Sequence, residues 1–79
     1  MGLAKNEAEL AKRIKEFLKA EIGKSDHSYE TLAKEMKKHG FKETKASVTN
    51  KLARGTFPAT FLLGALAALE LDGVRLEDI

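Results

Sequence analysis

Residues 32–61, LAKEMKKHGFKETKASVTNKLARGTFPATF, decide the fold. Leu32, Ala33 and Met36 recur at helical spacing, with Ser28 placed to cap the segment and Gly40 to stop it. Thr44 is placed to cap the next segment, in which Val48 and Leu52 stand four apart before Gly55. A hydroxyl residue, apolar residues at steps of three and four, and then a glycine describe a short amphipathic helix. The spacing therefore predicts helices over 28–39 and 44–54, joined by a connection through Gly40–Glu43. Ala33 permits a close helix crossing, and Phe41 is expected to plug the core just after the turn.

The same stretch concentrates positive charge. Between Lys34 and Arg54 seven basic residues (Lys34, Lys37, Lys38, Lys42, Lys45, Lys51 and Arg54) face two acidic ones, Glu35 and Glu43. Residues 1–30 carry six of each sign, and residues 55–79 set Arg75 against Glu70, Asp72, Glu77 and Asp78. A local excess of +5 in a chain whose net charge is +2 is the distribution expected of a phosphate-binding face.

On the N-terminal side, Asn6 can cap a helix over 6–22 in which Leu10, Ile14, Phe17, Leu18 and Ile22 share one face and Gly23 is the stop. Lys12, Arg13, Lys15, Glu16 and Lys19 make its solvated side. On the C-terminal side, Pro58 is expected at the first position of a helix over 57–70. Phe61, Leu62, Leu63, Leu66 and Leu69, interspersed with alanines, leave that helix almost no polar face. It is either central or shared with a second subunit, and sharing is the preferred reading. In the tail, 72–79, Val74, Leu76 and Ile79 alternate loosely with charged residues, a pattern for a short strand or an extended arm packed on a second subunit.

Seventy-nine residues make a single domain, 1–79, with a modest core. With no cysteine to staple it, such a domain often gains stability by association, so a homodimer is expected. The longest uncharged run, residues 55–69, has fifteen residues and contains Pro58 and Gly64, short of the roughly 20 apolar residues of a membrane span. Met1 to Ala11 is polar and lacks the apolar centre of a signal peptide. A cytoplasmic protein without a membrane partner is expected.

These features point to double-stranded DNA. On the 44–54 helix, Lys45, Ser47, Asn50 and Arg54 are the candidates for base edges, since Asn pairs bidentately with adenine and Arg with guanine. Lys34, Lys37, Lys38, Lys42, Thr44 and Lys51 are the candidates for phosphate. His27 and His39 lie twelve apart with no cysteine and no carboxylate at ligand spacing, so no metal site is expected. Ser28, Ser47 and Thr49 have no histidine and acid arranged around them, and no glycine-rich phosphate loop is present. An enzyme, a cofactor and a small-molecule ligand are therefore not expected. Tyr29, Phe17, Phe41, Phe57 and Phe61 are core residues at these spacings, which leaves single-stranded or RNA binding as a minor alternative.

The order Leu32–Ala33, Gly40–Phe41, Ala46–Leu52 and Arg54–Gly55, followed by an apolar helix, resembles the helix-turn-helix core of Cro/C1-type repressors. The pairs Leu32–Ala33, Gly40–Phe41, Glu43–Thr44, Asn50–Lys51 and Arg54–Gly55, with Phe57, resemble more closely a family of short bacterial proteins catalogued as domain of unknown function 6471. The resemblance spans roughly Phe17 to Val74. It implies an all-α, compact four- to five-helix bundle containing a lambda-repressor-like helix-turn-helix. The distance from Ala33 to Val48, fifteen residues, lengthens the turn relative to the repressor pattern. The function implied is a small DNA-binding protein, a bacterial or phage transcriptional regulator reading DNA with the 44–54 helix. The alternative is an adaptor or antitoxin-like interaction module that docks through the apolar 57–70 helix.

Overall fold

A computed structural model describes residues 4–79; Met1 to Leu3, the start of the polar opening stretch and of the 1–79 domain, lie outside the described residues. Four helices follow one another: α1 (Glu7–Lys24), α2 (Tyr29–Lys38), α3 (Lys45–Arg54) and α4 (Ala59–Ala68), with a 3-10 turn at Leu76–Asp78. Among the described residues there is no strand, so the all-α bundle is as expected.

The first three helices start where a side chain takes over an orphan amide. Asn6 accepts from the Glu9 amide at 2.8 Å. Ser28 and Thr31 exchange bonds across the start of α2, the Thr31 amide donating to Ser28 Oγ at 3.1 Å and the Ser28 amide to Thr31 Oγ1 at 2.8 Å. Thr44 and Ser47 repeat that box at α3, at 3.1 and 2.8 Å. Both boxes close with a hydroxyl where Glu or Gln is usual.

The helix ends are set by left-handed residues. Gly40 (φ +87) lets the Phe41 amide reach the Met36 carbonyl at 3.1 Å, which swings Phe41 back onto the core. Gly55 (φ +82) ends α3. Gly23, expected to stop α1, lies within it instead. The left-handed residue there is Asp26 (φ 60), with the Asp26 amide on the Gly23 carbonyl and the His27 amide on that of Ile22. Glu70 (φ 63) does the same for α4. Short polar Asp tolerates this conformation, and a Cβ at Gly23 would meet nothing within 4 Å.

Two further expectations are corrected. Pro58 does not occupy the first turn of α4: its ψ of 152° is extended, it caps the helix, and α4 begins at Ala59 and ends at Ala68, shorter than 57–70. Phe57 stays outside the helix and meets the Phe61 ring edge-on at 5.0 Å. In the tail no strand forms, and Leu76–Asp78 make a 3-10 turn.

The core draws on all four helices: Leu18 and Ile22, then Leu32, Ala33 and Met36, then Val48 and Leu52, and finally Phe61, Ala65, Leu66, Ala68 and Leu69. α2 packs against both α3 and α4. Phe17, Phe41 and Phe57 close the periphery. α4 therefore belongs to the chain's own core. Of its large apolar residues only Leu63 is left outside, 62% exposed. At Gly64 the Phe41 ring lies against the helix backbone, so close that a Cβ would stand 2.5 Å from Cζ.

Candidate nucleic-acid interface

Six residues, 39–44, connect α2 to α3, a longer link than the three or four of a standard helix-turn-helix. What fixes α3 behind that link is a buried carboxylate. Glu43 is 6% exposed. Its Oε1 accepts the Ser47 hydroxyl at 2.7 Å and its Oε2 accepts Lys51 Nζ at 2.6 Å. Lys51 in turn lies 4.8 Å from the centre of the Phe61 ring, a cation–π distance. One carboxylate thus joins the connection, two successive turns of α3 and, through Lys51, α4. Glu43 is satisfied on both oxygens, as a charge at that depth must be.

Three of the expected contact residues also have structural roles here. Ser47, named for a base edge, gives its hydroxyl to Glu43 and its lone pairs to the Thr44 amide. Thr44, named for phosphate, caps α3. Lys51, also named for phosphate, is an ion-pair partner whose side chain is only 25% exposed. All three help to hold α3 in place. Lys51 keeps two further ammonium donors and Thr44 its hydroxyl proton beside these bonds.

Six of the remaining candidates are exposed and outside any ion pair among the described residues. Lys34, Lys37, Lys42, Lys45, Asn50 and Arg54 are exposed, and among the described residues none of the five cations has an ion-pair partner. Lys38 pairs with Glu35 at 3.0 Å on the surface of α2, a contact worth little in water. Arg54 Nε reaches the Thr56 carbonyl at 3.3 Å and keeps the far end of its guanidinium for other partners. On α2, Lys34 and Lys38 lie opposite the buried Leu32, Ala33 and Met36, and Lys37 flanks Ala33.

Burial also adds residues to the outward face of α3 that charge and hydrogen-bonding arguments passed over. Lys45, Ala46, Thr49, Asn50, Ala53 and Arg54 are all exposed, and Val48 and Leu52 oppose them from the core. Part of the signal was available in the helical period: once Val48 and Leu52 are inward, Ala46 and Ala53 fall on the outward side and Thr49 at its flank. The Thr49 hydroxyl donates to the Lys45 carbonyl one turn back at 2.7 Å. No acidic residue lies in the first turn of α3, so the positive end of its dipole is uncompensated from within the helix.

A concavity of about 630 Å³ lies between α1 and the tail, lined by residues that include Phe17, Lys24, Leu71, Val74, Arg75 and Asp78. No residue of α2 or α3 lines it. No helix is long and apolar enough to cross a membrane among the described residues.

A family model described as "Domain of unknown function (DUF6471)" matches residues 10–74 of the chain. Comparison with curated proteins and with solved structures finds no match.

Proposed function

We propose that this chain, which belongs to the DUF6471 family, binds double-stranded DNA as a homodimer and acts as a cytoplasmic transcriptional regulator. In this reading α2 and α3 form a helix-turn-helix with a lengthened turn, and α3 enters the major groove. The protein acts by binding rather than by catalysis. The observation that carries the reading is the outward face of α3: Lys45 at one flank and Arg54 at the other, both free of ion pairs among the described residues, with small or amide side chains and no acid between them. A face kept only for solubility usually mixes both signs of charge. Lys34, Lys37 and Lys42 supply additional unpaired charge on α2 and the connection, suited to phosphates.

The test is a binding titration against a random-sequence duplex pool at two salt concentrations, with sequencing of the bound fraction. A palindromic motif is expected, one half-site per subunit. Asn50→Ala and Arg54→Ala should relax sequence preference while helicity is retained. Lys37→Ala should weaken all duplexes alike and lower the salt slope by about 0.9. Binding unchanged by all three substitutions, or absent at both salts, refutes the proposal.

A second reading rests on Leu63, 62% exposed on a helix without a charged residue. It makes α4 the docking face of an adaptor or antitoxin-like module. The DNA titration separates the two, since this module requires no duplex.

A further inference from the structure

Among the described residues Glu43 is the one charged side chain that is buried, and it stands inside the basic stretch on which the DNA-binding reading depends. Its Oε2 lies 2.6 Å from Lys51 Nζ, and that ammonium sits 4.8 Å from the centre of the Phe61 ring. Its Oε1 accepts the Ser47 hydroxyl at 2.7 Å, one turn earlier on α3. Lysines add to phosphate affinity through uncompensated charge. The charge of Lys51 is offset by the carboxylate beside it, so a face built for phosphate affinity alone would be better served by a neutral residue at 43. What the carboxylate supplies is geometry. It ties the residue before the Thr44 cap to two successive turns of α3 and, through Lys51, to Phe61 of α4. Ser47 and Lys51 share one side of α3 with Asn50 and Arg54, which lie three or four residues from them or next to them in the chain. A rotation of α3 that released Lys51 would therefore carry both base-edge candidates with it. Buried ion pairs contribute little net stability, but some of them select one arrangement among several.

We infer that Glu43 is a positioning residue for DNA selectivity: by clamping Lys51 against Phe61 it holds α3 at the angle at which Asn50 and Arg54 reach base edges, and it keeps Lys51 from acting as a free phosphate contact. This rests on the DNA-binding reading and deepens it. Glu43, itself buried, acts through Lys51 and α3.

The experiment titrates the full chain with the duplex selected from the random pool and with a scrambled duplex of the same composition, over a range of salt. Wild type, Glu43→Gln and Lys51→Gln are compared. Glutamine matches glutamate in size and its carbonyl can still accept from Ser47, but it lacks the charge that holds the ammonium. Partial unfolding weakens binding of both duplexes by the same factor, so the ratio of the two affinities reports the placement of α3 and not stability. Both substitutions should lower that ratio about five-fold or more, the low end of what one bidentate base contact contributes. Glu43→Gln should also steepen the salt slope by about 0.9, as the released Lys51 gains a phosphate, whereas Lys51→Gln should leave the slope unchanged. A ratio that stays within about two-fold of wild type for either variant makes the pair structural only, and overturns the inference while DNA binding stands. A slope that falls with Lys51→Gln, or does not rise with Glu43→Gln, makes Lys51 something other than a withheld cation and overturns it as well. A wild-type chain that binds duplexes without selecting among them leaves Glu43 nothing to position, with the same result. Failure of the wild-type chain to bind any duplex overturns the reading on which the inference rests.

Discussion

Replacing Gly64 by alanine should destabilise the protein, although alanine is the better helix former. In a helix interior alanine is favoured over glycine by about 0.5–1 kcal/mol. At Gly64, however, the new methyl would stand 2.5 Å from Phe41 Cζ, 2.7 Å from Cε2 and 2.8 Å from Cε1, where carbon atoms normally rest at about 3.5–4.0 Å. The ring must withdraw by about 1 Å. It has little freedom to do so, because the Phe41 backbone is tied to the Met36 carbonyl at 3.1 Å beyond left-handed Gly40. The displacement therefore falls on the side-chain rotamer and on the packing around it. Overpacking of this kind costs about 1–3 kcal/mol, more than the helical gain. The expected net loss is about 0.5–2 kcal/mol, with the melting temperature falling about 4–8 °C for each kcal/mol in a domain of this size.

The origin of that loss can be isolated in a double-mutant cycle, read by urea or thermal unfolding followed with far-UV circular dichroism. Phe41→Leu removes Cε1, Cε2 and Cζ, the three atoms in the way, at a cost of its own of about 1–2 kcal/mol. In the Phe41→Leu background Gly64→Ala should then stabilise, so the sign of the same substitution inverts. A coupling of about 1–3 kcal/mol is expected. Gly64→Ala that stabilises both backgrounds equally, adding within about 0.5 kcal/mol, would refute the close approach of Phe41 to α4.

The buried pair gives a second prediction: Lys51→Met leaves Glu43 with only Ser47 and should cost about 1–3 kcal/mol, whereas Glu43→Leu with Lys51→Met should recover most of it, as denaturant midpoints will show. At the end of α4, Glu70→Gly should raise stability by up to about 1 kcal/mol, because glycine adopts the left-handed conformation without strain; an unchanged melting temperature would remove that strain from consideration. Leu63→Glu should leave unfolding of the monomer nearly unchanged, since the side chain is exposed, and should shift sedimentation toward the monomer when α4 mediates self-association. No shift would remove α4 as a self-association surface.

What the sequence determined by itself was local. Asn6, Ser28 and Thr44 were recognisable as caps because a cap and its amide lie within three residues. Gly40 and Gly55 were recognisable as stops because left-handed backbone favours glycine at the end of a periodic run. Val48 and Leu52 placed the core side of α3, and the basic cluster from Lys34 to Arg54 was visible as composition. Even here, Gly23 misled: a glycine can also sit inside a helix, and the residue that turned the chain was Asp26.

What only the tertiary structure decided depended on residues distant along the chain. Glu43 read as one acid in a basic stretch until Lys51, eight residues on, and Phe61 in another helix closed around it. That closure committed Ser47, Thr44 and Lys51 to holding α3 and left Lys45, Asn50 and Arg54 outward, with Ala46, Thr49 and Ala53 between them. Gly64 looked like an interruption in an apolar run until Phe41 was seen against it. Hydropathy marked α4 as avoiding water, and only the closed bundle showed that Phe61, Ala65 and Leu66 are covered within the chain's own core. Helical period and capping are fixed within about one turn of chain, but burial and ion pairing are settled by which helices meet, and that is known only once the bundle has closed.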